Sequence, residues 1–466
     1  MIPKIRPNLT SLLPIMLGPL LALFVWLAPL GIPVEAQRCA GIIVWVALWW
    51  LSPIIPLHIS GIVGIILAHF FQLASWKELL TAFADPIIFL FLGGFVLARA
   101  VEYHQIDRLM VQKTMKIKGI AGNAQALFLA LVVLTALMSG FLSNTATTAL
   151  VLPIGLEILK RHSLDFKSSG KLVLLLAGAA SIGGTMTPIG SPPNMIALAL
   201  MEKITGTRPD FLTWMIHMVP LALCMLAALI WLYRSDWREL PRVVKIEETA
   251  FSLKSEQRFV LLILITTGIL WAIPGLFPIM GLTQLGVFTT KLFPESVVAV
   301  LALIALVLWP TRQGPLLPWS EAQKIDWGTL LLFGSGLAIG EMAFKSGLAP
   351  LIGSKLETLA HLSPEVLLSL AVITTLFLTE IASNTATANL IVPILLASSS
   401  FAMTPERTIY AIVAAANLAF MLPVGTPPNA IVFSTGVFSF GTMLRKGFLA
   451  NLLSGILILF FSLLFF

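Results

Sequence analysis

Two short polar segments interrupt apolar stretches of this chain, and they are near copies of each other. Ser143-Asn144-Thr145-Ala146-Thr147 recurs as Ser383-Asn384-Thr385-Ala386-Thr387, and a proline (Pro153 or Pro393) follows each asparagine by nine residues. Their amide and hydroxyl groups both donate and accept hydrogen bonds. They can therefore meet an anion with N–H and O–H, or a hard cation with oxygen. Downstream, Gly190-Ser191-Pro192-Pro193-Asn194 is matched by Gly425-Thr426-Pro427-Pro428-Asn429. Pro-Pro removes two backbone donors and disfavours helix at the residue before it. Helices carrying these motifs are expected to break near 188–194 and 423–429. Such a break leaves free carbonyls on one side and free N–H groups on the other. The carbonyls suit a cation such as sodium, and the N–H groups suit an anion.

None of the four segments contains Lys or Arg. An anion bound among them meets only dipoles there, so a bound cation must supply much of the countercharge. Each ion then lowers the cost of burying the other, which is a direct physical route to coupled movement. Each motif alone has an ordinary explanation, since one Ser-Asn-Thr can cap a helix and one Pro-Pro can simply kink it. Two copies of each, in the same order, argue against those explanations. Asp85 and Asp326 extend the correspondence, standing 59 and 58 residues before Asn144 and Asn384.

The elements that carry these motifs are set by composition. Hydrophobic residues make up 58% of the 466, charged residues 11%, and mean hydropathy is +0.96. A soluble protein could not cover its surface with so few charges. The chain is therefore read as an all-α polytopic membrane protein. A transmembrane helix needs about 20 apolar residues to cross a core about 30 Å thick, and about eleven stretches qualify. The first follows Lys4 and Arg6 and is too long for the apolar part of a signal peptide. Residues 124–160 and 364–400 differ, because a polar tip divides each into arms of roughly 13 residues. Arms this short read as re-entrant helical hairpins, whose irregular tips must be buried in protein or line a cavity.

Charge orients this plan. Arg108, Lys113, Lys116 and Lys118 fall in one loop, and Lys160, Arg161, Lys167 and Lys171 in the next. Arg234, Arg238, Arg242, Lys245, Lys254 and Arg258 fall in a third. All three lie on the N-terminal, cytoplasmic side only if 124–160 enters and leaves through one face. The second hairpin then opens from the opposite face, which makes the halves an inverted repeat with its site at the interface. Four regions follow: N-terminal helices on the scaffold side (1–80), and a first repeat with hairpin 124–160 and broken helix 171–200 (81–235). A cytoplasmic loop with linking helices (236–325) leads to a second repeat with hairpin 364–400 and broken helix 408–433 (326–466). The net charge of +7 is assigned to cytoplasmic loops rather than to a nucleic-acid partner.

Other polar residues carry less. Glu380, inside an apolar arm, is a candidate functional acid. Its lack of a counterpart (the first repeat has Gly140) favours a structural hydrogen-bonding role. Asp85, Asp326 and Glu341 read as interfacial or structurally paired. Cys39 and Cys224 read as membrane-embedded apolar side chains, and the six histidines show no metal-ligand spacing. No catalytic triad or nucleotide loop is visible, so the chain is not read as an enzyme. A channel is the other class to weigh, but hairpins entering from opposite faces suit alternating access better than a continuous pore.

The chain resembles the divalent anion:sodium symporter family over essentially its whole length. The resemblance rests on Ser143-Asn144-Thr145, Ser383-Asn384-Thr385, Ser191-Pro192-Pro193-Asn194, Thr426-Pro427-Pro428-Asn429 and Phe83-Ala84-Asp85-Pro86. It implies substrate contacts from Asn144, Thr145, Asn384 and Thr385, with Ser191, Pro192, Thr426 and Pro427 shaping the pocket. It implies one sodium site among Ser139, Ser143, Asn144 and Gly190, and a second among Thr379, Ala382, Asn384 and Gly425. It further implies a homodimer in a bacterial inner membrane, with a transport domain moving like an elevator against a fixed scaffold. No organic cofactor is implied. The expected activity is sodium-coupled transport of C4-dicarboxylates such as succinate, malate and fumarate. The alternatives are sodium-independent exchange, or transport of citrate, tartrate or sulfate.

Overall fold

The computed structural model describes residues 9–51, 55–117, 119–120, 122–162, 169–206, 208–240, 253–312, 314–356, 362–396 and 405–465. Lys4, Arg6, Lys118, Lys167, Arg242 and Lys245 of the charge pattern lie outside the described residues. Apart from one two-residue pairing of Pro310–Thr311 with Gly314–Pro315, the described elements are helical.

Six described helices are long and apolar enough to cross a membrane by length and composition: Pro86–Tyr103, Phe211–Leu232, Ser255–Ile279, Trp327–Lys345, Pro364–Ile381 and Phe440–Leu464. A seventh span arises if Thr283–Leu292 and Glu295–Leu308, bent by 49°, act together. Several stretches expected as full spans are instead shorter apolar helices, such as Leu57–Phe70 and Gly170–Gly183. The chain is a multi-pass membrane protein, and its surface agrees. Leu262, Ile265, Ile269 and Leu276 are exposed along Ser255–Ile279, and Leu452, Ile456, Phe460 and Leu463 along Phe440–Leu464. That spacing of three, four or seven residues makes one continuous apolar face on each helix, which water would not tolerate and lipid does.

Three of the four hairpin arms are longer than the expected 13 or so residues, and the second return arm, as described, has 13. They run Ala124–Ser139 and Asn144–His162 in the first hairpin, and Pro364–Ile381 and, as described, Asn384–Leu396 in the second. Pro153 and Pro393 lie inside the return arms without ending them. At about 1.5 Å per residue, an arm of 18 residues, as in Pro364–Ile381, could nearly cross a bilayer, so length alone does not make these arms re-entrant. The polar turn between them does.

The two repeats match element by element. Asp85 caps Pro86–Tyr103 by accepting from Ile87 N at 3.0 Å, and Asp326 caps Trp327–Lys345 by accepting from Thr329 N at 3.1 Å. The matched spacing of these aspartates in the two halves therefore marks two helix starts. Glu341 pairs with Lys345 at 2.9 Å and with Lys203 at 3.4 Å. Each hairpin packs on its own pre-break helix, Val173–Gly183 or Pro405–Ala416. Gly183 permits this closeness in the first repeat, since a Cβ there would lie 2.1 Å from Ala136 O. The post-break helices cross over: Pro192–Thr205 packs on the second return arm, and Pro427–Phe433 packs on the first. This exchange is what brings four motifs from two halves to one place.

Away from that centre, buried Asp236 joins three segments. Lys171 Nζ approaches its Oδ1 at 2.7 Å, and Lys446 Nζ approaches its Oδ2 at 3.1 Å while lying over the Tyr233 ring. Asp236→Asn would leave two half-buried ammonium groups without a countercharge. The expected cost is about 1–3 kcal/mol, read as a lower melting temperature in detergent with no change in ligand selectivity.

Candidate functional site

The hairpin tips are short because each return arm starts at once. Ser383 Oγ accepts from Ala386 N at 3.1 Å, and Ser143 Oγ faces Ala146 N at 3.5 Å. These serines sit where a helix cap belongs, as the simplest reading of a Ser-Asn-Thr allows. The capping leaves the next two residues of each tip at the helix start and facing open space. Asn144, Thr145, Asn384 and Thr385 all line one cavity of about 520 Å³.

The same cavity is lined by Gly190, Ser191 and Pro192 from the first break and by Gly425, Thr426 and Pro427 from the second. All eight residues expected to contact substrate therefore meet at one cavity. Of the residues expected to hold sodium, Ser143, Asn144, Gly190, Asn384 and Gly425 line it, whereas Ser139, Thr379 and Ala382 lie buried behind it. Ser139 Oγ donates to Asn144 Oδ1 at 2.5 Å, and Thr379 Oγ1 donates to Asn384 Oδ1 at 2.8 Å. Each tip asparagine thus joins the cavity to the polar layer beneath it.

The breaks lie upstream of where the prolines suggest. The helices end at Gly183 and Ala416, and the next ones begin with Pro192 and Pro427. Proline suits the first turn of a helix, where its missing N–H would have no partner, so Pro-Pro opens the second helix rather than occupying the gap. This alters the expected chemistry. The post-break helices start without N–H groups at their first two positions, and they offer an anion less than a broken helix ordinarily does. The donors facing the cavity come mainly from the hairpin tips.

Asn194 and Asn429 hold the breaks in shape. Asn194 Nδ2 donates to Gly184 O and Thr187 O, both at 2.8 Å, and Asn429 Nδ2 donates to Ala419 O and Leu422 O, both at 2.9 Å. The last residue of each Pro-Pro-Asn is therefore a tie across its own loop. Gly184 also lets the Asn144 side chain lie close, since a Cβ there would come 2.6 Å from Asn144 Oδ1. A Cβ on Gly190 would come 2.7 Å from Gly184 O and 2.9 Å from Gly140 O, and one on Gly425 would come 3.1 Å from Glu380 O. Carbonyl, amide and hydroxyl oxygens converge in both places. Among the described residues no group of three His, Cys, Asp or Glu could hold a metal. This donor set suits a hard, weakly charged cation better than a transition metal.

The second break carries one feature the first lacks. Both oxygens of buried Glu380 face its loop: Phe420 N donates to Oε1 at 2.7 Å, Met421 N to both oxygens at 2.9 and 3.0 Å, and Leu422 N to Oε2 at 3.0 Å. Asn451 Nδ2 adds a fourth donor at 2.7 Å. Glu380 organises backbone and does not line the cavity.

The remaining wall is aromatic and charged. Phe91, Phe95 and Phe141 line the cavity, together with Arg99, Glu102, Lys324 and Asp326. Arg99 pairs with Glu102 at 3.1 Å and with Glu321 at 2.5 Å, and Lys324 pairs with Glu321 at 2.6 Å. Lys324 and Arg99 hold the Glu321 carboxyl below the usual carboxylate range. Basic side chains therefore do reach this wall, but they arrive already neutralised. Residue types in the four motifs could not reveal them, because they come from elsewhere in the chain, Arg99 from Pro86–Tyr103 and Lys324 from the loop before Trp327–Lys345.

Comparison with known proteins places the chain among membrane transporters. A family model described as "Citrate transporter" matches residues 42–406 and 285–466. The sodium-dependent dicarboxylate transporter SdcS of Staphylococcus saprophyticus is 33% identical over 97% of this chain and 90% of its own. SdcS of Staphylococcus aureus is 33% identical over 96% of this chain and 90% of its own. Among solved structures, the YdaH transporter of Alcanivorax borkumensis superposes with a TM-score of 0.52. That match covers 92% of this chain and 97% of that one, at 14% identity, and so speaks to the fold alone.

Proposed function

The chain belongs to the divalent anion:sodium symporter family and is a transporter rather than an enzyme; from that premise we propose that it carries C4-dicarboxylates such as succinate, malate and fumarate across a bacterial inner membrane together with sodium. The observation that carries this reading is the meeting of both hairpin tips and both broken helices at one cavity of about 520 Å³. Substrate carboxylates lie against Asn144, Thr145, Asn384 and Thr385, with the Ser191-Pro192 and Thr426-Pro427 turns as the floor. Sodium occupies the oxygen-rich places beside Gly190 and Gly425. Ser143 and Asn144 contribute to the first and Asn384 to the second, with Ser139, Thr379 and Ala382 behind them. The cation supplies charge that the four motifs lack. Sodium-dependent dicarboxylate transport is what the two staphylococcal relatives are named for.

Movement is by an elevator. Hairpins and broken helices pack mainly on one another, while Leu57–Phe70 with Trp327–Lys345, and Pro86–Tyr103 with Glu295–Leu308, build the facing wall. The first group is the moving body and the second belongs to the scaffold. A homodimer with a cytoplasmic N-terminus completes the proposal, as the resemblance and the basic loops imply.

The test is uptake of labelled succinate by proteoliposomes with sodium, lithium or choline outside. Uptake driven by sodium is expected, with choline near background. Uptake indifferent to sodium but dependent on internal dicarboxylate would identify an exchanger instead. The citrate description of the family model favours one second reading, a preference for citrate. Excess citrate leaving succinate uptake untouched would remove it.

A further inference from the structure

One buried side chain crosses from one repeat to the other, and it has no counterpart by symmetry. Asn417 stands eight residues before Gly425, where the first repeat has Ile182 eight residues before Gly190. Its side chain reaches Ser191 and Asn194 of the first repeat, and its carbonyl accepts from Asn384 Nδ2 at 3.3 Å.

The direction of every hydrogen in this chain of contacts is forced. Gly184 O and Thr187 O can only accept, so the Asn194 atom 2.8 Å from both is Nδ2 and its Oδ1 is left as an acceptor. Asn417 must then present Nδ2 to Asn194 Oδ1 at 2.8 Å, and the same nitrogen reaches Val413 O at 2.9 Å. That leaves Asn417 Oδ1 to take the hydrogen of Ser191 Oγ at 2.5 Å. Asn417 does not line the cavity, whereas Ser191 does. The Ser191 hydrogen is thus committed behind the wall, and the oxygen keeps only lone pairs for a ligand. Thr426 occupies the equivalent place in the second repeat, lines the same cavity, and its hydroxyl makes no hydrogen bond among the described residues.

We propose that Asn417 is a positioning residue that makes Ser191 an acceptor, so that the first-repeat end of the cavity favours a ligand bearing a hydrogen-bond donor while the Thr426 end takes an ionised carboxylate. The ligand class singled out is a 2-hydroxy-dicarboxylate, such as malate, over its unsubstituted parent, succinate. This rests on the dicarboxylate reading above. The two ends of a pseudo-symmetric site become chemically different, and the difference originates in a residue that touches no ligand.

The test is ligand-dependent thermal stabilisation of the purified protein in sodium, from which half-saturating concentrations of malate and succinate are read. In Asn417→Leu the Ser191 hydroxyl regains its freedom to donate, and the malate-to-succinate preference is expected to shift toward succinate by roughly three- to tenfold, the worth of one hydrogen bond. Ser191→Ala, which removes the acceptor while Asn417 Nδ2 keeps its ties to Asn194 and Val413, should shift the preference in the same direction. Thr426→Ala should weaken both ligands alike. An unchanged preference in folded Asn417→Leu overturns the proposal, and if that variant does not fold, an unchanged preference in Ser191→Ala overturns it. A native protein stabilised by neither ligand would instead defeat the dicarboxylate reading itself.

Discussion

Asn144→Ala and Asn384→Ala are each expected to lower sodium-driven dicarboxylate uptake by about 100-fold or more, while the purified proteins keep a melting temperature close to that of the native chain. Each asparagine lines the cavity and also accepts a hydroxyl from beneath it, Ser139 at 2.5 Å or Thr379 at 2.8 Å. Truncation removes a ligand contact, a neutral oxygen suited to sodium, and the partner of a buried hydroxyl. The first two act on transport: contacts to charged ligands are worth about 1.5–3 kcal/mol each, and 2.8 kcal/mol is already about 100-fold in an equilibrium constant. Folding suffers less, because the tips sit at open space and Thr379 keeps a second acceptor, Ala416 O, at 2.6 Å. With one side chain proposed to serve both ions, the sodium concentration for half-maximal uptake should rise together with the substrate KM in any variant retaining measurable activity. Asn144→Asp should not rescue, since it brings an anion to a place that must hold one. Normal uptake kinetics in either alanine variant would show that the tips are structural turns.

The sequence exposed the repeat more fully than the geometry of either half. Duplicated Ser-Asn-Thr and Pro-Pro-Asn segments were enough to bring eight residues to one cavity, because polar groups in an apolar chain have few places to go. Exact break positions were not legible. Pro-Pro disfavours helix at the residue before it, and the break then extends eight and ten positions upstream of the first proline, to Gly184 and Asn417. Its extent depends on ties such as Asn194 to Gly184 O, and no local pattern specifies those. The first return arm exceeds the expected length because its helix already starts at Asn144, inside the polar tip, and runs through Pro153 to His162. The pairing of Arg99 with Glu321 and of Ser191 with Asn417 spans more than 200 residues. A single sequence offers no signal for such contacts. Asn417 could have been noticed only as a polar residue in an alanine-rich run.

The second large effect is expected at Glu380, and it concerns folding before transport. Gly140, its counterpart, contributes only backbone, and Gly140 O accepts from Thr187 Oγ1 across the first break. In the second break Leu422 stands in the place of Thr187, so that hydroxyl tie is absent and a carboxyl group holds the loop instead. Four donors converge on its two oxygens: the N–H groups of Phe420, Met421 and Leu422, and Asn451 Nδ2. Glu380→Ala would leave all of them buried or half-buried without an acceptor. Unsatisfied donors cost about 1–3 kcal/mol each, and losing one member of a buried polar network costs about 3–5 kcal/mol. The expected result is a protein that melts far below the native temperature or fails to accumulate. Glu380→Gln tests the reason. It keeps the volume but turns one acceptor into a donor facing other donors, so it should also be destabilised, though less than alanine. If both variants fold like the native protein and lose only transport, Glu380 acts on the ions rather than on the loop. A stable Glu380→Gln beside an unstable Glu380→Ala would mean that one oxygen suffices to hold the break.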